Sequence, residues 1–385
     1  MTAVGSGLYL HVPFCRHRCH YCDFNTYAGM DDLIPRYVAA LRADLRRVVA
    51  AGPKAVAPSD AETGGEWPRF ASIFVGGGTP TLLAPQDLAG VLRLARDVLP
   101  LSPDAEVTVE ANPESVTVEG LATLVEAGVN RISMGAQSFA PHVLDFLGRW
   151  HDPEAPLRAV EAARAAGVAR LSLDLIYGAP TETEADWRRS LDVALDAGID
   201  HVSAYALTVE PNTEYGARVR RGSAPAPDDD VQATRMAVAD ERLTGAGFHR
   251  YEVSNWARPG QECRHNLTYW RSGNWLGVGA GAHGHWAGQR WWSLRAPARY
   301  ADVALSGGST TSGNELPTAE QRRTERLWLG LRTAEGVARA DVEPVDEGEV
   351  ARLADAGLLA DDRDRLRLMP GGWAVADDIT LRLLR

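Results

Sequence analysis

The sequence predicts an α/β fold, a partial six-stranded barrel of parallel strands followed by a small, winged-helix-like C-terminal domain. Short apolar segments alternate with amphipathic ones through about the first 220 residues, a pattern typical of strand–helix units with right-handed crossovers. Several helical segments end in Ala-Gly, where glycine supplies the left-handed cap before the next strand. Six such units fit into this length, whereas an eight-fold barrel usually needs about 250 residues.

Each predicted strand is a short apolar segment followed by turn residues. The strands are predicted at residues 7–12, 70–75, 106–110, 129–134, 170–175 and 201–206. The helices between them are predicted at residues 34–50, 85–99, 118–127, 153–166 and 184–197. The stretch at 52–68 is rich in Ala, Pro and Gly, so it is predicted to be a surface insertion.

The chain is predicted to have three parts. Residues 1–220 form the barrel. Residues 221–315 form an extension that packs on the barrel, and six of the eleven tryptophans lie between Arg250 and Trp292. Residues 316–385 form the C-terminal domain, with helices at 319–332 and 348–356, a strand at 365–368 and a last helix to residue 385.

Composition and charge narrow the classes of function. The formal net charge of -11 argues against a nucleic-acid partner, because non-specific binding needs a basic surface. Lys54 is the only lysine, and no Schiff-base or phosphate-loop motif surrounds it. We identify no signal peptide, and no apolar stretch approaches the roughly 20 residues of a transmembrane segment. The expected location is cytoplasmic.

Three of the four cysteines lie within eight residues. Cys15, Cys19 and Cys22 follow the first predicted strand with spacings of three residues and then two. Three thiolates can hold a four-iron, four-sulfur cluster, [4Fe-4S], while one iron stays open to a small molecule. A zinc site would normally be closed by four ligands, and a nearby histidine would have to supply the fourth. Unclustered structural cysteines are a further alternative.

Polar or glycine-rich motifs follow several strands, where a barrel of this type places its chemistry. The segment 76–81 reads GGGTPT, and glycines there allow the backbone to approach a ligand closely. Glu110, Gln137 and Asp174 close or follow the third, fourth and fifth strands. A tight turn and satisfied core or capping groups are the alternatives for these residues.

The cysteine loop and the GGGTPT segment resemble the signatures of the radical S-adenosylmethionine (SAM) superfamily. The resemblance implies that the open iron chelates SAM, and that one electron from the cluster cleaves SAM to methionine and a 5′-deoxyadenosyl radical. It also implies a set of SAM-contacting positions, which in this sequence are Tyr9, Tyr21, Gly77, Gly78, Thr79, Glu110, Gln137, Arg149, Asp174, Ala206 and His283.

Further motifs resemble one family within that superfamily, which unites oxygen-independent coproporphyrinogen III oxidases with haem chaperones. These are VEANPE at 109–114, GAQSF at 135–139 and DLIYGAP at 174–180. The oxidase branch has a longer segment before the cysteine loop and a further cysteine where this chain has Phe24. Both departures favour the haem chaperone branch.

A positive feature points the same way. His265, Asn266 and Tyr269 match the HNxxY motif that the resemblance links to haem binding. Imidazole can ligate haem iron, and Trp270 and Trp275 could cover a porphyrin. The alternative is that these are core residues, and Cys263 is a second candidate ligand or a small buried residue.

Two functions therefore remain open at this point. The first is a haem chaperone that carries a SAM-bound cluster, delivers haem to acceptor apoproteins and needs an electron donor. The second is an oxidase that decarboxylates coproporphyrinogen III to protoporphyrinogen IX in porphyrin biosynthesis. No catalytic residue is assigned, and the sequence does not decide whether the chain is an enzyme.

Overall fold

A computed structural model of the chain describes residues 5–58 and 64–384. Each of the six predicted strands is present. They are β1 (Ser6–Val12), β2 (Phe70–Gly77), β3 (Leu101–Ala111), β4 (Arg131–Gln137), β5 (Arg170–Tyr177) and β6 (His201–Ala206). Neighbours in this series pair in parallel, each with the next along the chain. The α/β fold predicted from the alternating pattern is confirmed.

Helices connect these strands and cover the outer face of the sheet. They are α1 (Ile34–Ala51), α2 (Pro85–Val98), α3 (Val118–Glu126), α4 (Pro141–Leu147), α5 (Ala155–Ala165) and α6 (Glu184–Asp196). Gly128, at φ 98°, ends the turn after α3, so β4 begins at Arg131, two residues later than predicted. The strands are almost fully buried, with Leu8, Leu10 and Val12 of β1 inaccessible to solvent, because covered parallel strands are apolar on both faces.

The extension lengthens the sheet at both edges. After α7 (Glu214–Arg220) and α8 (Asp229–Gly245), strands β7 (His249–Glu252) and β8 (Asn255–Ala257) add to the edge beside β6. Helix α9 (Arg264–Trp270) then leads to the opposite edge. There β9 (Trp275–Val278) pairs in parallel with β1 and is followed by β10 (His283–Trp286), β11 (Gln289–Ser293) and β12 (Thr311–Glu315).

The resulting sheet has twelve strands in the order β12-β11-β10-β9-β1-β2-β3-β4-β5-β6-β8-β7. The sequence predicted that the extension packs on the barrel, and in the structure all six of its strands are part of the sheet. Exposed edges offer unpaired backbone groups, and the extension satisfies those of both β1 and β6. Helix α10 (Pro297–Leu305) packs on α1 beside this enlarged sheet.

The C-terminal part has its own apolar core. It contains α11 (Ala319–Leu331), α12 (Glu347–Asp355) and α13 (Ala376–Leu383). Three short antiparallel strands accompany them, β13 (Val337–Ala338), β14 (Leu359–Asp361) and β15 (Arg365–Leu368). Leu327, Leu366 and Ile379 are buried in this core. The last helix ends at Leu383, and the predicted end at residue 385 lies outside the described residues. The three-part division remains a prediction.

Two further sequence expectations concern the surface. Part of the predicted insertion at 52–68, residues 59–63, lies outside the described residues. In its described part, the Trp67 indole donates a hydrogen bond to the Val49 carbonyl at 2.8 Å. Throughout the described ranges, no helix combines the length and apolar character that a membrane crossing requires.

Candidate functional site

The cysteine loop lies directly after β1, at the carboxyl edge of the parallel strands. Cys15, Cys19 and Cys22 are all half-buried and free of disulfides. The loop is fixed to the turn after α4, because the backbone N–H of His20 donates to the Leu147 carbonyl at 3.1 Å. The His17 ring is hydrogen-bonded through Nε2 to the Gly148 carbonyl, also at 3.1 Å. Three thiols are therefore held on one loop that is anchored to a neighbouring strand–helix connection.

Hydrogen-bond donors surround two of these thiols. Thr79 Oγ1 donates to Cys15 Sγ at 3.8 Å, and Arg149 Nη1 donates to Cys19 Sγ at 3.6 Å. Burial raises the pKa of Cys15 to about 11, so bound iron would have to replace its proton. Donors directed at sulfur are the usual surroundings of a metal-bound thiolate.

The glycine motif packs tightly against this loop. A Cβ atom at Gly78 would meet the Phe14 carbonyl oxygen at 2.5 Å and Cys15 Sγ at 3.0 Å. Within residues 5–58 and 64–384, no three His, Cys, Asp or Glu side chains are placed to bind one metal ion. A four-iron cluster uses a different arrangement, because each thiolate binds a separate iron. The donor set of three thiols on one loop fits that arrangement.

One cavity of about 300 Å³ lies inside the barrel. It is lined by both predicted carboxylates, Glu110 and Asp174, and by Tyr9. Glu110 Oε2 accepts a hydrogen bond from the backbone N–H of Gly77 at 3.0 Å. Burial, reinforced by the nearby charge of Asp174, raises the pKa of Glu110 to about 7. Burial also raises the pKa of Asp174, which accepts a hydrogen bond from Ser133 Oγ at 3.0 Å. The cavity thus offers two acidic groups that a polar ligand could contact.

Arg149 and Thr79 are connected through Asn112, which is not among the predicted site residues. Asn112 Nδ2 donates to Thr79 Oγ1 at 3.0 Å, while its Oδ1 accepts from Arg149 Nη2 at 3.0 Å. Arg149 Nη2 also donates to the Gly135 carbonyl at 2.8 Å. The place of Asn112 after β3, within VEANPE, was the signal that could have identified it. Gln137 adopts φ 64° at the end of β4, a strained conformation for a non-glycine residue.

The other predicted positions, Tyr21, Ala206 and His283, lie at the same edge of the sheet. Tyr21 belongs to the cysteine loop, and burial raises its pKa well above the usual range. Ala206 is the last residue of β6 and pairs with Tyr177. His283 is exposed at the start of β10, with its ring centroid 6.0 Å from that of Trp292. Ten of the eleven positions therefore lie on the cysteine loop, in strands, or in segments that directly follow strands, and Arg149 follows helix α4.

His265, the candidate iron ligand of the sequence motif, lies in the core of the fold. Its side chain is 1% exposed. Nδ1 is hydrogen-bonded to Ser72 Oγ and Nε2 to the Tyr269 hydroxyl, both at 2.8 Å. Burial lowers the pKa of His265 to about 3. In this conformation neither ring nitrogen is available to a metal, because each already has a hydrogen-bond partner.

Of the other residues near His265, some line cavities and some are buried. Asn266 Nδ2 donates to Glu252 Oε1 at 3.1 Å. Tyr269 lines both the barrel cavity and a second cavity beside β9 and β10, which Trp275 also lines. Cys263 is buried, and its Sγ lies 3.5 Å from Glu106 Oε1. Burial raises the pKa of Cys263 to about 12, as expected for a small buried thiol outside a metal site.

Comparisons with known proteins bear on these sites. The family model described as the Radical SAM superfamily matches residues 9–194. A haem chaperone HemW of Mycobacterium tuberculosis is 46% identical over 98% of this chain and 94% of the relative. The HemW haem chaperone of Bacillus subtilis is 36% identical over 96% of this chain and 97% of the relative.

A solved structure is similar over nearly the whole chain. The coproporphyrinogen III oxidase HemN of Escherichia coli, described as a radical SAM enzyme, superposes with a TM-score of 0.81 at 21% identity. The superposition covers 98% of this chain and 90% of the oxidase chain. At this level of identity the similarity shows a common fold.

Proposed function

The chain belongs to the radical SAM superfamily and, within it, to the group of its HemW relatives, and on this premise we propose that it is a haem chaperone. It binds haem, carries a SAM-bound [4Fe-4S] cluster and delivers haem to acceptor apoproteins. The observation that carries the proposal is the 46% identity to a haem chaperone over 98% of the chain. That similarity extends through the extension and the C-terminal part, well beyond the superfamily match at 9–194.

In this proposal Cys15, Cys19 and Cys22 hold the cluster. Their support is the anchored loop, the three free thiols and the donors at Cys15 and Cys19. When bound, the cluster supplies an electron to SAM through its open iron. The positive charge of Arg149 beside Cys19 offsets the negative charge of the thiolates, which makes the site easier to reduce.

The strand ends around the cluster hold SAM. Gly77 and Gly78 pack closely against His11, Phe14 and Cys15, and their backbone contacts SAM, while Glu110 and Asp174 accept hydrogen bonds from its polar groups in a buried setting. A charge-assisted hydrogen bond of this kind contributes about 1.5–3 kcal/mol. The proposed SAM contacts are those of the resemblance, namely Tyr9, Tyr21, Gly77, Gly78, Thr79, Glu110, Gln137, Arg149, Asp174, Ala206 and His283.

The other candidate is decarboxylation of coproporphyrinogen III. The similarity to the E. coli oxidase supports only a shared fold, since the identity is 21%. Phe24, at the position of the oxidase's further cysteine, is 62% exposed and supplies no thiol. The chaperone is therefore the function that we favour, with haem, acceptor apoproteins and an electron donor as partners. We propose a cytoplasmic location, because three cysteines clustered within eight residues favour a metal site in a reducing compartment.

The test compares the two functions on the same preparation. Protein with a reconstituted cluster is titrated with haem under anaerobic conditions, and the haem absorption spectrum gives stoichiometry and affinity. We expect one-to-one binding and transfer of haem to an apoprotein acceptor such as apomyoglobin. In parallel, coproporphyrinogen III is supplied with SAM and a reductant, and no vinyl product is expected. Robust formation of vinyl product without haem binding would contradict the chaperone proposal and support the oxidase function.

A further inference from the structure

A cavity of about 580 Å³ lies between the edge of the extended sheet and helix α11. It is separate from the barrel cavity that contains Glu110 and Asp174, although Tyr269 lines both. The volume is within the usual range for sites that bind small molecules or cofactors. Trp275 of β9 and His285 of β10 form part of its wall, and these two residues face each other as partners in the antiparallel pairing of the strands.

His285 has a different environment from His265. Its Nδ1 is hydrogen-bonded to the Gly273 carbonyl at 2.7 Å, which makes Nδ1 the protonated nitrogen. Nε2 has no hydrogen-bond partner among the described residues. Burial lowers the pKa of His285, so its imidazole is neutral near pH 7. Metal-bound histidines typically donate one ring N–H to a carbonyl and bind the metal through the other nitrogen.

Aromatic contacts fix the orientation of this imidazole. The Trp275 ring stacks on His285 with centroids 5.0 Å apart and an interplanar angle of 29°. Tyr269 contacts Trp275 edge-on at 4.7 Å, and the Tyr269 hydroxyl is held by His265 Nε2 at 2.8 Å. If His285 bound a haem iron, Trp275 would hold its imidazole in place.

Charged and apolar side chains complete the cavity. Arg322 and Arg326 of α11 line it, and Arg322 Nη1 donates to the Pro317 carbonyl. Arg290 is paired with Glu315 and with Glu325, which also lines the cavity, at 3.0 Å each. Arg326 is exposed and forms no ion pair within the described parts of the chain. Leu316 and Leu329 supply apolar surface to the same wall. Two guanidinium groups beside an apolar wall suit a flat apolar ligand with carboxylates at one edge.

We infer that this cavity is the haem site, with His285 Nε2 as the iron ligand and Arg322 and Arg326 as partners of the haem propionates. The inference rests on the proposed chaperone function and assigns its cargo to residues outside the HNxxY motif. In that motif, Tyr269 contacts the site and His265 is a positioning residue, since it holds Tyr269 against Trp275.

The experiment is a haem titration of the full chain and of single variants, read by absorption and by electron paramagnetic resonance. His285→Ala should remove the signature of imidazole ligation and weaken haem binding about tenfold or more, because the iron–nitrogen bond is lost. Added imidazole should restore the signature. His265→Ala should keep imidazole ligation. His142 lies on α4 and has a half-exposed side chain. The variant His142→Ala is the matched control and should bind haem like the parent chain.

Arg326→Ser provides a second test that does not disturb the core, because Arg326 is exposed on α11. It should weaken haem binding about two- to fivefold and leave the ligation signature unchanged, as expected from loss of one partly exposed ion pair. If the parent chain binds no haem, the proposed function itself fails. The proposed site is wrong if the parent chain binds haem and both His285→Ala and Arg326→Ser bind it equally well. It is also wrong if, of the histidine variants, only His265→Ala abolishes imidazole ligation. In either case the chaperone proposal stands.

Discussion

Arg149 donates a hydrogen bond to the Sγ atom of Cys19 at 3.6 Å. The arginine is buried after α4, while the cysteine lies on the loop after β1, so the contact joins parts of the chain that are 130 residues apart. The same guanidinium reaches Asn112 and, through it, Thr79 beside Cys15. One buried cation thereby connects the cysteine loop to the ends of three strands, and the first predictions concern this assembly.

The cluster assignment predicts the result of removing its ligands. Anaerobically purified protein should be brown and contain about four irons per chain. The triple replacement of Cys15, Cys19 and Cys22 by alanine should abolish colour and iron content, because the inorganic core would have no protein ligand. Cys263→Ala is the control, since Cys263 is buried beside Glu106, and it should retain both. Full iron content in the triple variant would contradict the assignment.

Arg149 should influence the reduction potential of the cluster. Replacing it by methionine removes a positive charge next to Cys19, so the reduced cluster is less stabilised and the potential should become more negative. Arg149→Lys should keep part of the effect. A redox titration without SAM measures the shift. Arg158→Met is the control, at an exposed arginine paired with Asp152, and should leave the potential unchanged. Equal potentials in the two methionine variants would show that Arg149 does not influence the reduction potential.

The two carboxylates in the barrel cavity should contribute to SAM affinity. Glu110→Gln and Asp174→Asn should keep the iron content but weaken SAM binding about ten- to hundredfold, the loss expected for one hydrogen bond to a charged group. Isothermal titration of SAM into the protein with its cluster measures this directly. Glu119→Gln, at an exposed position of α3, is the matched control. Unchanged affinity for SAM in both cavity variants would show that Glu110 and Asp174 have only structural roles.

The raised pKa of Glu110 predicts how stability depends on pH. Its value in the folded protein is about 7, against an ordinary value of 4.5, so the folded chain binds this proton more tightly. Its contribution to the free energy of unfolding is present below about 4.5 and is lost as the pH rises to about 7. Glu110→Gln should avoid that loss and gain roughly 1–3 kcal/mol over the parent chain between pH 5 and pH 8.

Denaturant unfolding at both pH values, without added SAM, measures this difference. The comparison between variant and parent chain is needed because burial also raises the pKa of Glu182 and Glu252 to about 7. Those groups are present in both proteins, so their effects cancel. If the free energies of unfolding of Glu110→Gln and the parent chain differ by the same amount at pH 5 and at pH 8, Glu110 is ionised throughout this range.

Much of the fold was predictable because its signals are local. The alternation of apolar strands with amphipathic helices, and glycines such as Gly128 that cap the helices, follow from the periodicity and backbone conformation of short segments. The spacing of Cys15, Cys19 and Cys22 predicted three thiols on one loop for the same reason. The clustering of Glu110 and Asp174 followed from a rule of topology, since parallel strands end at one edge of their sheet.

The tertiary structure alone decided where the extension goes and which histidine is free. No local pattern indicates that β9 pairs with β1 while β8 pairs with β6, because edge pairing is a choice among distant partners. The two bonds that occupy His265 come from Ser72, 193 residues away, and from Tyr269. The Nδ1 of His285 contacts the Gly273 carbonyl, and its Nε2 has no hydrogen-bond partner among residues 5–58 and 64–384. A motif can mark a histidine, but only its neighbours in space determine whether a ring nitrogen remains available for a ligand.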